Sequence, residues 1–131
     1  MTRYLLDSDT CIFGLRDNER VVQKLLMLHS SDWAISSLTA FELQRGITRQ
    51  TRPDVARQTA DLIQAAMVFN FGRPEAAKAA SIEDQLRKLG KPIGVVDILI
   101  AAHALTLGLT LVTNNTKHFE EIPGLKLENW L

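Results

Sequence analysis

The chain of 131 residues has the length of one domain, enough to bury roughly two thirds of the surface its unfolded form exposes. A hydrophobic fraction of 46% with only four prolines and seven glycines excludes a disordered or fibrous chain. Lysine plus arginine and aspartate plus glutamate both number 15, which excludes a global field pulling the molecule onto nucleic acid or an anionic membrane, so any such binding is local.

In chain order, Arg3 to Leu6 is a short apolar run that ends in Asp7-Ser8-Asp9-Thr10, a group of turn and capping residues. It predicts a strand feeding a helix, with Asp7 at the strand's carboxyl end. Val21 to Leu28 predicts a helix and Trp33 to Ile35 a second strand. Ser36-Ser37-Leu38-Thr39 opens a helix running through Glu42 toward Gln50, and Pro53 permits a new one. Val55 to Met67 and Glu75 to Leu89 are alanine-rich and helix-prone, separated by Val68-Phe69-Asn70-Phe71, a short strand candidate; Gly90 closes the second helix. Ile93 to Val112 is apolar, but Asp97 and His103 interrupt it and Gly108 marks a helix end, so it reads as a buried helix followed by a strand over Leu109 to Thr113. Leu125 to Leu127 is a last strand candidate. Short strands alternating with longer helices predict an α/β fold: one domain over 1–131, three layers (α/β/α), with a mostly parallel central sheet. Binding sites in this class lie beyond the carboxyl ends of the strands.

The lone Cys11 cannot close an internal disulfide, and with three scattered histidines it gives no zinc spacing. A reducing cytoplasm fits. The first nine residues carry Arg3 and Asp7 in place of the apolar run that a secretory signal needs.

Three acids fall where such a fold places its chemistry: Asp7 after the first strand, Glu42 in the helix after the second, and Asp97 at the entry of the late helix. Each has a structural alternative. Asp7 is a good helix cap, Thr39 to Glu42 has the T-x-x-E spacing of a capping box, and Asp97 follows Pro92 and Gly94. Their setting argues the other way, because apolar residues flank each one: Leu5-Leu6, Phe41 and Leu43, Val95-Val96 and Ile98. Carboxylates converging at the rim of a core repel and take up protons unless a cation stands between them. An all-oxygen ligand set favours a hard ion, Mg2+ or Mn2+, which suits phosphodiester hydrolysis.

The segments Tyr4 to Ile12, Ser36 to Leu43, Gly94 to Ala104 and Leu111 to Asn115, with the ending Phe119 to Trp130, resemble VapC-type PIN-domain toxins in order and spacing. The resemblance implies an endoribonuclease using Mg2+ or Mn2+ held by acids matching Asp7, Glu42 and Asp97. It also implies a homodimer and a hetero-oligomer with a VapB-type antitoxin whose carboxyl-terminal segment covers the acidic groove. Transfer RNA, in some relatives the initiator form, is the implied substrate class. Two departures stand out. The family often has a fourth acid after the last main strand, where this chain has Asn115, with Glu120 the nearest carboxylate; and its D-T-N start reads Asp7-Ser8-Asp9 here, so Asp9 is either an auxiliary acid or a cap.

A neutral protein with an acidic centre needs basic groups alongside to hold RNA. Arg45, Arg49 and Arg52 follow Glu42 at offsets that place all four within about a quarter turn of one helix face, provided Gly46 does not break the helix. The alternative is a solvated, ion-paired face. Trp33, Phe13 and Phe69 read as core, as does His103. His118 lies close to Glu120 with no visible partner. Two competing functions remain at this stage. A haloacid-dehalogenase-like phosphatase would use Asp7 as nucleophile, though Cys11 breaks that motif. A non-catalytic α/β binding module would use the acids and Thr113 for regulation.

Overall fold

The computed structural model describes residues 1–131. Five parallel strands form one sheet in the order β3-β2-β1-β4-β5: β1 Tyr4–Leu6, β2 Trp33–Ser36, β3 Val68–Phe69, β4 Thr110–Val112 and β5 Leu127–Glu128. Six helices connect them: α1 Ser8–Leu15, α2 Glu19–Leu26, α3 Ser37–Arg49, α4 Pro53–Ala65, α5 Arg73–Lys88 and α6 Val95–Leu107. A 3-10 turn, Thr116–His118, follows β4.

Successive residues of a strand face opposite sides, and the central strands feed two separate cores in this way. Leu5, Ala34 and Leu111 pack with Ala79 and Ile82 of α5 and with Ile98 and Ala101 of α6. Their neighbours Leu6, Ile35 and Val112 pack with Cys11, Val21 and Leu43 from α1, α2 and α3, and with Trp130. The three-layer arrangement expected from the alternation of elements is therefore the one observed. Phe13 and Trp33 pack against the second core and Phe69 against the first, as their predicted elements implied.

Several boundaries moved, each for a local reason. Helix α2 starts at Glu19 because the Asn18 side chain accepts from Val21 N. β3 ends at Phe69 because Phe71 N turns to donate to Ser37 Oγ at 3.1 Å. Gly124, at φ 78°, turns the chain beside Leu125, so β5 begins at Leu127 and not at Leu125. The apolar stretch beginning at Ile93 splits as expected at Gly108, whose left-handed φ of 69° closes α6. No helix is long and apolar enough to cross a membrane.

One buried polar contact ties the two faces of β2 to α6. Ser36 caps α3 by accepting from Leu38 N at 3.0 Å, and its hydroxyl also bonds His103 Nδ1 at 2.8 Å. His103 is fully buried, its ring edge-on to Phe71 at 5.5 Å; burial holds its pKa below the usual 6.5 and keeps it neutral. This histidine is structural. Ser36→Ala removes the cap and strands a buried ring nitrogen, and should cost about 2–3 kcal/mol in urea unfolding. Because the unfolded histidine takes up a proton that the folded one resists, this site's contribution to stability falls as pH drops below about 6.5.

Candidate active site

Along the chain the strands are laid to one side as β1, β2, β3 and then to the other as β4, β5. The reversal leaves a crevice between β1 and β4, the switch point where open α/β sheets bind ligands. The register pairs Leu6 with Val112, so the next residues, Asp7 and Thr113, leave the sheet side by side. Asp7 N donates to Val112 O at 2.9 Å.

Asp7 caps α1, accepting from Ser8 N at 2.8 Å on Oδ1, while Oδ2 accepts from the Thr113 hydroxyl at 3.1 Å. Thr113 is itself fully buried. Asp9, in the first turn of α1, accepts from Asn114 N at 3.0 Å through Oδ2 and from Thr10 N at 2.6 Å through Oδ1. The loop after β4 is thus laced onto the two aspartates, and Asn115 N donates back to Thr113 Oγ1 at 3.1 Å. Asp97 sits in the first turn of α6. These helix starts direct the positive ends of two backbone dipoles toward the acids.

The acids act on one another through space. Burial first, then Asp9 and more weakly Glu42, push the Asp7 carboxyl up to about 6, against the opposing hydrogen bonds from Ser8 and Thr113. Burial likewise raises Glu42; the Ser8 side chain and Arg45 oppose it, while Asp97 and Asp9 add to the rise. Asp9 and Glu42 thus act on Asp7, and Asp97 and Asp9 act on Glu42, which links the four acids electrostatically. Glu120 lies apart from them, exposed beside Lys91, whose ammonium bonds Glu121 at 2.8 Å. Of the loop after β4, Thr113 and Asn114 bond the aspartates, and Asn115 bonds Thr113 and His118.

Other expectations change here. The capping box at Thr39 and Glu42 does not form, because Ser36 is the cap; Thr39 is buried, and Glu42 lies in the second turn with no structural duty. Its Oε1 is buried without a hydrogen-bond partner. The apolar flanks also divide: Leu5, Leu6, Leu43 and Ile98 are core, but Phe41, Val95 and Val96 are exposed. The arginine stripe is shorter than its spacing implied. Gly46 does not interrupt α3, yet the helix ends at Arg49, and Arg52 leads into α4, paired to Asp54 at 2.8 Å. Arg45 stands over the Phe41 ring at 5.4 Å. Two functional contacts had no partner visible in the sequence: the Thr113 hydroxyl on Asp7, and His118, whose Nδ1 lies 3.2 Å from Asp97 Oδ2.

The donor set fits a hard divalent ion. It offers only oxygens, it includes the unpartnered buried Glu42 Oε1, and it crowds like charges. As they stand, no three of these side chains are close enough together to ligate one ion, so an ion here would draw the carboxylates inward or keep several of its own waters. Alongside, a cavity of about 750 Å³ runs between α1, α3 and α4, lined by Ser8, Ile12, Glu42, Arg45 and Arg52 among others.

Comparison with known proteins gives the family. The family model for the PIN domain matches residues 4–125. The tRNA(fMet)-specific endonuclease VapC of Salmonella typhimurium is 33% identical over 131 residues, covering 99% of both chains. This chain belongs to the VapC-type PIN-domain family. Ribonuclease VapC2 of Haemophilus influenzae is 32% identical, with both chains fully covered. Among solved structures, the DNA-bound VapBC of Salmonella typhimurium superposes with a TM-score of 0.91 at 32% identity over the whole of both chains. VapBC2 of Rickettsia felis bound to a promoter DNA fragment does so with a TM-score of 0.89 at 30% identity, covering 99% of this chain and 100% of that one. Membership of the PIN family displaces the phosphatase alternative, and the groups acting on Asp7, which are Asp9, Ser8, Thr113 and Glu42, do not include the lysine that alternative requires.

A stability consequence follows from the raised Asp7. Its folded pKa of about 6 exceeds the unfolded 3.8, so the folded state is favoured below 3.8 and loses that advantage as pH rises through 6. Asp7→Asn, neutral at every pH, should stabilise the protein in chelator at pH 7.5 by about 2–3 kcal/mol. The gain should vanish below pH 4 when followed by urea unfolding.

Proposed function

We propose that this protein is a Mg2+-dependent endoribonuclease toxin that hydrolyses phosphodiester bonds of RNA and is neutralised by a VapB-type antitoxin. The observation that carries the reading is the electrostatic influence that Asp7, Asp9, Glu42 and Asp97 exert on one another beyond the ends of β1 and β4, with one buried glutamate oxygen unpartnered. Asp7, Glu42 and Asp97 would hold the ion, assisted by Asp9 and Asn115; Mn2+ would substitute. When bound, it supplies positive charge against the phosphate oxygens and makes an attacking water more acidic.

The protein's own groups do the rest. Thr113 and Ser8 N fix the Asp7 carboxylate in one orientation. The starts of α1 and α6 offer backbone dipoles that favour an anionic phosphate as well as the acids. Arg45 and Arg49 on α3 lead away from Glu42 along the path an RNA backbone would take; Arg52, bound to Asp54, is the weaker candidate. The names of the relatives support transfer RNA as the substrate class, with the initiator form as the first to test. Cytoplasmic action follows from such a substrate.

The cavity beside Glu42 supports the partner reading. It combines apolar, basic and acidic lining, so an antitoxin segment could bury an apolar side chain there and set a cation among the acids. The exposed Phe41, Val95 and Val96 give the apolar surface expected of a chain that forms homodimers and toxin–antitoxin hetero-oligomers.

Asp7→Ala and Asp97→Ala should each lower RNA cleavage by about 100-fold or more while the circular dichroism spectrum is unchanged, and chelation should mimic them. Cleavage that persists in chelator and leaves cyclic phosphate ends would refute the reading. Arg49→Ala should weaken RNA binding and reduce the slope of log affinity against log salt by about 1, as read by filter binding across a salt series.

A further inference from the structure

His118 has no part in the scheme above, yet it is the side chain in closest contact with Asp97. It ends the 3-10 turn that follows the β4 loop. Its Nδ1 lies 3.2 Å from Asp97 Oδ2 and 2.8 Å from the Asn115 side-chain amide. A carboxylate accepts hydrogen bonds and cannot donate them, so the contact with Asp97 requires the proton on Nδ1. The amide nitrogen and oxygen of an asparagine are distinguished by the network around them. Asn115 Nδ2 faces the ring, 2.8 Å from Nδ1 and 3.3 Å from Nε2; with the proton on Nδ1, turning the amide over lets its oxygen accept that N–H and brace the ring.

The contact is a poor candidate for fold stabilisation. The His118 side chain is 53% exposed and that of Asp97 32%, and exposed polar pairs contribute little. The Asn115–His118 contact is local, three residues apart, and by itself would only shape a turn. The contact with Asp97 is not local. It spans 21 residues and joins the β4 loop to the start of α6. It engages one carboxylate oxygen, Oδ2, and leaves Oδ1 without a hydrogen bond from any protein group. Carboxylates that bind metals are commonly held in this manner, and loss of the holding group weakens the ion's binding without removing a ligand.

We propose that His118 is a positioning residue: its Nδ1–H holds Asp97 by Oδ2, with Asn115 bracing the ring, and so presents Oδ1 to a divalent ion. The inference rests on the metal-dependent reading given above. It assigns to the place after β4 a histidine–asparagine pair that orients an existing acid.

The test is Mn2+ binding to the full chain without RNA, measured by electron paramagnetic resonance, on wild type, His118→Ala, His118→Phe, His118→Asn and Asp97→Asn. Both His118→Ala and His118→Phe should weaken binding by about 10-fold or more with melting temperatures unchanged. His118→Asn, which keeps an N–H donor at similar reach, should bind close to wild type. In RNA cleavage, His118→Ala should raise the Mg2+ concentration needed for half-maximal rate and recover at saturating Mg2+, a response that a purely structural defect does not give. Wild-type Mn2+ affinity in His118→Ala and His118→Phe, with binding lost in Asp97→Asn, would overturn the role of His118 alone. Binding indifferent to Asp97→Asn as well would overturn the metal reading and this inference with it.

Discussion

The repulsion among four carboxylates is the constraint around which the rest of this structure is arranged. Asp7 is held at the end of a buried strand where solvent screens it poorly, and Asp9 and Glu42 raise its pKa further. Left to itself, such a cluster would relax by protonation or by splaying apart. The fold opposes both. Backbone and hydroxyl donors from Ser8 and Thr113 favour the charged Asp7, Asn114 N holds Asp9, and two helices begin at the cluster. The scaffold thus spends stability to hold these acids in readiness, and on the function proposed above a cation would relieve them.

That readiness depends on the two cores beneath it. β1, β2 and β4 present alternate residues to opposite layers, so the strand ends emerge at fixed heights and the side chains beyond them meet predictably. The buried Ser36–His103 contact serves the same end on the other side of β1. It pins the start of α3 to α6, and these two helices carry Glu42 and Asp97. A histidine that faces away from the acids therefore still bears on where they stand.

Elements and acids were legible in the sequence because they rest on local rules: hydrophobic period, capping residues, and the habit of α/β sheets to bind at strand ends. Their apolar flanks and strand-end placement, and then the PIN resemblance, are what group Asp7, Glu42 and Asp97 as candidates for one site. What escaped were contacts between segments far apart in sequence. Nothing near Thr113 says that the β1–β4 register delivers its hydroxyl to Asp7, and nothing near His118 says that the chain folds back over α6. The arginine stripe failed at Arg52 because spacing on an ideal helix cannot tell where the helix stops. The Thr39–Glu42 capping box was displaced by a better cap, Ser36, three residues earlier. Phe41, Val95 and Val96 flank the acids in sequence, but adjacency does not say which flank faces the core, and these three are exposed.

The carboxyl-terminal strand has a wider bearing than its two residues suggest. Thr113 N donates to Glu128 O at 3.0 Å, and the nearby Trp130 is buried edge-on to Tyr4 at 5.3 Å. The backbone that carries the Asp7-orienting hydroxyl is thus fastened to the sheet's outer edge. Trimming or fusing reporter sequences directly at this end would disturb the Asp7–Thr113 geometry from behind, whereas the exposed amino-terminal methionine offers a safer handle for purification and labelling.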